Sequence, residues 1–279
     1  MRKVFLVSIR YTLLSPSFAP GTFLQLRDLG YEDFKNKMLD PVRLDYRLGL
    51  FKKLTLPSLQ KFNEMVINDP DEVEFKVVVN ASSMLPEDHK EKLIEVQKDN
   101  SFLSVVFSSE EDANIKKVTL KTMKKLHRGD DVLYLTMRMD DDDALSDDFY
   151  SNLKRFARKD FSGFGVSFPD GYIGYVGDGG ELIGFRNYNK PKIAIGLAYI
   201  NFVDKGARRK FRSVYCFGAH GRFDFKAPVV IDSSFKSFIR SAHFSSDVYS
   251  DEERYKGELK KISGEISSET VLSKFSVSF

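Results

Sequence analysis

The sequence predicts an α/β fold with a mostly parallel central sheet, flanked by helices and followed by a smaller antiparallel β region. Three observations predict it. Short apolar runs alternate with amphipathic segments up to about residue 160, a pattern typical of a parallel, doubly wound sheet. One apolar run, residues 132–137, is followed closely by four consecutive aspartates at 140–143. Beyond residue 163, glycines interleave with Phe, Tyr and Ile, which favours short antiparallel strands joined by turns.

The elements of the first part follow from local periodicity. Residues 4–9 form an apolar run, which predicts the first strand. Apolar positions at helical spacing predict a helix over 43–62, and Pro57 should kink or split it. The remaining predicted elements of this part are strands at 64–68, 75–80, 105–107 and 132–137, and helices at 87–98 and 113–127.

The later elements are shorter. Ser146 is a good N-cap, and Asp147 and Asp148 then complement the dipole of a helix that follows. Residues 172–176 and 181–185 predict two antiparallel strands joined by a glycine turn at 177–180. Residues 193–202 are a further buried run, and the Ser-rich tail from 263 to 279 is expected to be a loosely packed arm.

Composition restricts the function classes. A net charge of +3, from 43 basic and 40 acidic residues, is too balanced to indicate nucleic-acid binding by itself. The single cysteine, Cys216, cannot form an intrachain disulfide, which fits a reducing compartment. The first apolar run is too short for a signal peptide, and no stretch approaches the ~18 apolar residues of a membrane span. We therefore expect a cytoplasmic protein without a membrane span.

The four aspartates, residues 140–143, are called the acidic quartet. Their mutual repulsion must be offset by water or by a cation, and the carboxyl end of a strand is where open α/β sheets bind ligands. Hard divalent cations take oxygen ligands, and Asp140 and Asp142 have the alternate spacing at which two carboxylates converge on one ion. A solvated acidic loop is the alternative. The EF-hand pattern is excluded because its glycine and terminal glutamate are missing.

Three further side chains carry candidate chemistry. Arg138, two residues before Asp140, could bind phosphate bidentately or form an ion pair with a neighbouring aspartate. His220 lies in a glycine-flanked loop, and His243 precedes a polar segment. Either imidazole could serve a metal or act as a base, although a single histidine is more often structural.

Residues 138–145, Arg-Met-Asp-Asp-Asp-Asp-Ala-Leu, resemble the R-[LM]-D-x-D-D-A-L signature of the rhamnosyltransferase family, whose members are similar to GT-A glycosyltransferases. Residues 47–60 resemble the family's R-x-x-L-F-x-x-x-T-L-P-S-x-x-x-Q pattern, with the glutamine one place early. Residues 7–10 resemble its first strand, which ends in Thr-Arg-Phe, and residues 239–247 resemble a late His-Gly-Ser-Asn segment.

The resemblance implies one GT-A-like domain over residues 1–279. Residues 1–160 would be the nucleotide-sugar-binding half, 161–260 the acceptor-side half, and 261–279 a tail. It further implies a metal-dependent glycosyltransferase that moves a sugar from a nucleoside diphosphate sugar to a saccharide hydroxyl. Rhamnosyl and xylosyl transfer both fit this expectation.

The resemblance also implies roles for individual residues. Asp140 and Asp142 would form the DxD pair that holds Mn²⁺ or Mg²⁺ against the donor diphosphate, with His243 as the third protein ligand. The donor would also be contacted by Arg10, Arg138 and Asp69.

An inverting enzyme additionally needs a general base near the acceptor hydroxyl. His220, Asp178 and Glu181 are the candidates for that base. Two other functions stay open at this point: a glycan-binding protein on a GT-A frame without turnover, and a metal-dependent phosphohydrolase.

Overall fold

The computed structural model describes residues 1–16, 30–177, 179–206, 210–243, 245–246 and 266–278. Within them the chain forms a seven-stranded main sheet and a four-stranded second sheet. The strands in chain order are β1 (Arg2–Tyr11), β2 (Val73–Ser82), β3 (Leu103–Ser108), β4 (Val132–Asp140), β5 (Ala144–Leu145), β6 (Gly165–Ser167), β7 (Asp170–Val176), β8 (Leu182–Asn189), β9 (Ala198–Val203), β10 (Val229–Ile231) and β11 (Phe238–Ala242). The helices are α1 (Tyr31–Met38), α2 (Pro41–Leu50), α3 (Leu56–Ile67), α4 (Glu87–Asp99), α5 (Ile115–Leu126), α6 (Phe149–Lys154) and α7 (Ser268–Leu272).

The main sheet has the strand order β10-β6-β9-β4-β1-β2-β3. Strand β1 pairs in parallel with both β2 and β4, and β2 pairs in parallel with β3. Only β9 runs antiparallel to its neighbours in the described sheet. Both faces of β1 are buried, as its nearly continuous apolar sequence requires. The predicted mostly parallel α/β fold is confirmed.

The second sheet, ordered β5-β11-β7-β8, is mixed rather than purely antiparallel. The predicted hairpin is present, because β7 and β8 pair antiparallel across the glycine turn. Strand β11, however, pairs in parallel with β7. It can do so because a long connection carries the chain back before β11 begins. Strands β6, β9 and β10 join the main sheet, so the later residues contribute to both sheets.

A continuous helical segment spans α2, a π-helical turn at Phe51–Thr55, and α3. The predicted helix is therefore confirmed, but the strand predicted at 64–68 is wrong because α3 continues to Ile67. Pro57 cannot donate to the carbonyl of Lys53, four residues earlier. That carbonyl instead accepts from the backbone N–H of Ser278 at 2.8 Å. The C-terminal segment thus satisfies an acceptor next to the proline.

The described part of the tail, residues 266–278, is packed against the second sheet rather than loosely attached. Val271 and Phe275 are buried in the cluster that contains Tyr172 and Ile239. The expectation of a loosely packed arm is therefore wrong for these residues. Composition did not show this packing, because Ser276 and Ser278 are held through their backbone N–H groups.

The predicted cap of α6 is also wrong. The helix begins at Phe149 with Asp148 as its N-cap, and the Ser146 hydroxyl donates to the Asp148 carboxylate. Asp147 accepts a hydrogen bond from the backbone N–H of Ser276 at 2.7 Å. Its side chain therefore binds the C-terminal segment, whereas the sequence predicted that it complements the helix dipole. In the part of the chain that the structure describes, no helix is long and apolar enough to cross a bilayer.

Candidate active site

The acidic quartet lies at the carboxyl edge of the main sheet. Arg10 near the end of β1 is the register partner of Asp140 at the end of β4, and their side chains approach to 3.8 Å. A small pocket of about 140 Å³ opens at this edge. It is lined by Arg10, Thr12, Leu13, Met38, Arg43, Arg47, Asp140, Asp141, Asp142, Asp143, Arg240, Ser241 and Ser246.

A guanidinium group offsets the charge of the quartet. One terminal nitrogen of Arg47 donates to Asp142 Oδ2 at 2.7 Å, and the other donates to Asp141 Oδ1. All three side chains are nearly buried, so these charge-assisted bonds are poorly screened by water. The sequence predicted that water or a cation would offset the repulsion among the aspartates. In the structure, Arg47 of α2 offsets part of it.

The neighbouring carboxylates do not share this compensation equally. Burial raises the pKa of Asp141 to about 6, against the opposing charge of Arg47. Burial and the charges of Asp142 and Asp140 hold the pKa of Asp143 well above its usual range. Although burial opposes it, Arg47 together with the His243 hydrogen bond lowers the pKa of Asp142. The site therefore contains one well-stabilised carboxylate beside two whose pKa values are raised by burial.

Asp141 also has unused hydrogen-bonding capacity. Its Oδ2 atom is buried and has no hydrogen-bond partner among the described residues. The hydroxyl of Ser241, which lines the same pocket, is likewise buried without a partner there. Buried polar atoms are normally satisfied, so two unsatisfied atoms in one pocket indicate a site for a polar or charged ligand.

Asp143 fastens the loop to two other elements. Its Oδ1 accepts from the backbone N–H of Ser241 in β11 at 3.0 Å. Its backbone carbonyl accepts from the buried Thr55 hydroxyl at 2.8 Å. Thr55 ends the π-helical turn, a feature that often occurs at functional sites. The long helix therefore positions the quartet through Arg47 and Thr55.

His243 lies 101 positions from Asp142 in the sequence, and the fold brings the two together. Its Nε2 is 2.8 Å from Asp142 Oδ2, and its Nδ1 is 3.0 Å from the Ser245 hydroxyl. Burial lowers the pKa of His243 despite the Asp142 hydrogen bond, so the ring is neutral. A carboxylate only accepts, so the proton of the neutral ring lies on Nε2 in this arrangement and the Ser245 hydroxyl donates to Nδ1.

The carboxylates of this pocket and the imidazole of His243 are chemically suited to bind a divalent cation. Asp142 and His243 already face each other, Asp140 lines the same pocket, and Asp141 has a spare oxygen. Carboxylates are ligands that Mn²⁺ and Mg²⁺ prefer, and imidazole is a common ligand of transition-metal ions. Within the described ranges, however, no three acidic, His or Cys side chains are already grouped for a metal. Arg47 holds the Asp142 carboxylate in this arrangement.

His220 does not line the small pocket, but it lies within electrostatic range of Asp140 and is held in one tautomer. Its Nδ1 is 2.6 Å from the backbone carbonyl of Lys192 and therefore carries the proton. Lys192 has a left-handed backbone, with φ of 59°. Burial lowers the pKa of His220, and the charges of Arg138 and Asp140 also act on it. Its Nε2 is thus an acceptor on a neutral ring, as a general base requires.

The other two base candidates are less informative. Glu181 is exposed and lies at the turn between β7 and β8. It is not among the residues that line the small pocket. Asp178 lies outside the described residues.

Arg138 is directed away from the small pocket. Its guanidinium donates to the backbone carbonyls of Gly218 and Val214 and lies 4.5 Å from the centre of the Tyr215 ring. These contacts match neither of the two predicted alternatives, a phosphate contact and an ion pair with a neighbouring aspartate. The strand was visible in the sequence, but the segment that folds over it was not.

Asp69 is at the opposite edge of the sheet, which corrects its expected contact with the nucleoside. The expectation assumed that Asp69 ended a strand. It instead follows α3 and precedes β2, so it lies at the amino edge. There it accepts from Tyr150 and from Lys154 at 2.7 Å.

Sequence reasoning missed three arginines of the site, Arg43, Arg47 and Arg240. The four-residue spacing of Arg43 and Arg47 places them on one helix face, and this signal could have found them. Arg43 is buried and donates to the Met38 carbonyl at 3.1 Å. Arg240 has no comparable signal, because only the pairing of β11 in the second sheet brings it to the quartet.

Comparison with known proteins identifies the family of this chain and two solved structures to which it is similar. Among solved structures, S. aureus TarS matches with 14% identity and a TM-score of 0.35, covering 94% of this chain and 66% of that chain. The inositol-1-phosphate CTP transferase from T. maritima matches with 11% identity and a TM-score of 0.33, covering 94% and 97%. Curated proteins give no match. The family model described as "Putative rhamnosyl transferase" matches residues 5–254.

That match covers most of the chain and includes most of β1, the other strands, the quartet and the long helix. The class of protein is therefore a glycosyltransferase. The chain belongs to the rhamnosyl transferase family.

Proposed function

We propose that this glycosyltransferase moves a sugar from a nucleoside diphosphate sugar to a saccharide hydroxyl with the help of a divalent cation. The observation that carries the proposal is the small pocket at the carboxyl edge of β1 and β4. Arginines there meet an acidic quartet in which one carboxylate oxygen has no hydrogen-bond partner among the described residues. This combination suits a cation together with a phosphate-bearing ligand.

The arginines supply the complementary charge for a diphosphate. Arg10, Arg43 and Arg240 line the pocket with Arg47, and guanidinium groups bind phosphate oxygens bidentately. A volume of about 140 Å³ is below the ~300 Å³ at which drug-sized ligand sites begin. The pocket would therefore take the diphosphate, with the nucleoside and the sugar lying outside it.

Asp140, Asp142 and His243 are the residues that would hold Mn²⁺ or Mg²⁺. When bound, the ion would neutralise the charge that develops on the leaving diphosphate. Two features of this chain support that role. With an ion bound, the Ser245 hydroxyl would accept from Nδ1–H so that Nε2 faces the ion. The Asp141 oxygen that has no partner among the described residues would add an acceptor beside Asp142.

His220 is proposed as the general base if the reaction inverts the anomeric centre. The Lys192 carbonyl fixes its proton on Nδ1, so Nε2 is ready to accept the proton of an acceptor hydroxyl. Replacement by Gln, which keeps a donor of similar size, should reduce turnover by about 10²-fold or more. Nucleoside diphosphate binding should be unchanged. A His220→Gln variant with normal turnover would assign the base elsewhere.

The transferred sugar is proposed to be rhamnose, the sugar in the family description, with xylose as the second candidate. A panel of nucleotide sugars tests this choice directly. The preferred donor should raise the melting temperature most in the presence of Mn²⁺, because a ligand that binds the folded state stabilises it.

Calorimetric titration with Mn²⁺ and a nucleoside diphosphate tests the site itself. Asp140→Ala combined with Asp142→Ala should weaken metal-dependent nucleotide binding by about 10²-fold or more. Asp69→Asn, which changes an acidic residue at the opposite edge, is the control and should bind normally. Equal binding by the double variant and the wild type would refute the metal site.

Turnover separates the proposal from its two alternatives. A glycosyltransferase releases nucleoside diphosphate only when donor and acceptor are both present at effective concentrations. A glycan-binding protein releases none, and a phosphohydrolase releases inorganic phosphate from simple esters.

A further inference from the structure

A second and larger cavity lies away from the acidic quartet, along the edge strand β3. Its volume is about 860 Å³, and we call it the α5 groove. It is an open trough between β3 and α5, and it shares no lining residue with the small pocket. Its lining residues come from β3 and the turns at its ends, from α5, and from Lys76 of β2.

The groove is open because α5 covers the centre of the sheet and not its edge. Met123 of α5 is fully buried against Val4 and Val78, which belong to β1 and β2. Strand β3 is the last strand of the main sheet in the described chain. Its Val106 therefore stays half-buried beside Val118 of α5, and the two provide an apolar floor.

Lysines form one rim of the groove. Lys117, Lys121 and Lys125 repeat at four-residue spacing on α5, and Lys76 faces them from β2. These three α5 lysines are exposed. The acidic side chain in the lining is Asp112, which pairs with Lys117 at 3.0 Å. The groove therefore presents an excess of positive charge beside an apolar floor.

The edge of β3 is not open along its whole length. The backbone N–H of Val105 donates to the Gln97 side chain at 2.7 Å, a common protection of edge strands. A ligand that added a complete β-strand would have to displace this contact. Recognition through side chains lying in the groove avoids that cost.

We infer that the α5 groove binds an extended acidic segment of a partner protein, in which carboxylates alternate with aliphatic side chains. Alternation places one set of side chains on the floor at Val106 and Val118 and the other set on the outer side of the peptide, where the long lysine side chains of the rim reach them. Charge complementarity selects an anionic partner. The apolar floor favours a peptide over a phosphate or sulfate polymer, which has no aliphatic group to bury there.

Fluorescence anisotropy with a labelled eight-residue peptide of alternating Glu and Val tests the inference. Lys121→Glu combined with Lys125→Glu should weaken binding about tenfold, because attraction becomes repulsion at two positions. Lys116→Glu combined with Lys124→Glu is the matched control: the same helix and the same change of charge, at residues outside the lining. Both double variants should keep wild-type turnover, which reports correct folding.

Competition distinguishes peptide recognition from attraction to any anion. Unlabelled Glu-Val peptide should displace the probe, whereas oligoglutamate of equal length and inorganic polyphosphate should displace it at least tenfold less well. Three results would overturn the inference: no binding of the probe, equal weakening in the two double variants, or equal competition by polyphosphate.

Discussion

Two acidic clusters lie at opposite edges of the main sheet, and they are built differently. At the amino edge, Asp69 accepts from Lys154, from Tyr150 and from the backbone N–H of Asp71. Asp71 in turn pairs with Lys3 at 2.8 Å. At the carboxyl edge, Arg47 is shared between the buried carboxylates of Asp141 and Asp142. In the described part of the chain, one oxygen of Asp141 has no hydrogen-bond partner.

The protonation equilibria of the two clusters differ in the same way. Burial alone would raise the pKa of Asp69, but the hydrogen bonds from Lys154 and Tyr150 outweigh it and lower that pKa. Lysine contacts lower the pKa of Asp71 to about 2. In the quartet, burial raises the pKa of Asp141 to about 6. Acidic side chains that the fold fully satisfies contribute to stability, whereas a cluster with unsatisfied capacity is suited to bind a ligand.

Removal of Arg47 should produce the largest change. Arg47→Met leaves Asp141 and Asp142 buried without their shared cation, and the loss of one partner from a buried pair costs about 3–5 kcal/mol. Urea denaturation of the metal-free protein measures this loss. Arg47→Lys keeps a charge but not the two-pronged geometry, so its loss should be smaller.

Added Mn²⁺ sharpens this prediction. It should restore more stability to Arg47→Met than to the wild type, because the released carboxylates become available to the ion. An unfolding free energy within about 1 kcal/mol of the wild type for Arg47→Met would show that the quartet does not depend on this guanidinium.

The Asp69 cluster should respond in stability and not in activity. Asp69→Asn removes the charge of a carboxylate that accepts from Lys154 and Tyr150. Hydrogen bonds to charged groups contribute about 1.5–3 kcal/mol, so unfolding should become easier by that amount. Nucleoside diphosphate release should keep its wild-type rate, and a loss of turnover larger than the loss of folded protein would contradict a structural role.

The contributions of Asp141 and Asp69 to the pH dependence of stability should have opposite signs. The folded state holds the Asp141 proton more tightly than the unfolded state, whose pKa is about 3.8. Stability from this group is therefore lost as pH rises from about 4 to about 6. Asp141→Asn should remove that loss in metal-free buffer.

For Asp69 the folded pKa is lowered, so its contribution is present above the unfolded pKa and is lost as pH falls below it. Asp69→Asn should therefore flatten the acid limb of the profile instead. Urea unfolding across pH 3 to 8 measures the free energy of unfolding of both variants. If both substitutions changed its pH dependence in the same direction, the two carboxylates would not differ as proposed.

A smaller change is expected from the link between the long helix and the quartet. Thr55→Val removes the hydroxyl that donates to the Asp143 carbonyl, at a cost of about 1 kcal/mol. Thr122→Val is the control, because its hydroxyl donates within α5 to Val118 at 3.0 Å. Thermal unfolding should show a larger decrease for Thr55→Val, and equal decreases would mean that the link is not specific.

The sequence by itself determined the parallel core, the hairpin of β7 and β8, and the position of the quartet at a strand end. Each depends on local periodicity or on turn residues, which act over a few positions. Local pattern failed where helix and strand compete. Residues 64–68 look like a strand, but Phe62 and Val66 are buried at helical spacing, and α3 continues to Ile67.

Only the tertiary structure decided the partners of the charged side chains. Arg47 meets Asp142 across 95 positions and His243 meets it across 101, while Asp69 is carried to the far edge. Such contacts depend on strand order and helix packing, because a side chain's distant neighbours are fixed only when the sheets assemble. For that reason the sequence could show where the acidic charge is, but not which groups balance it.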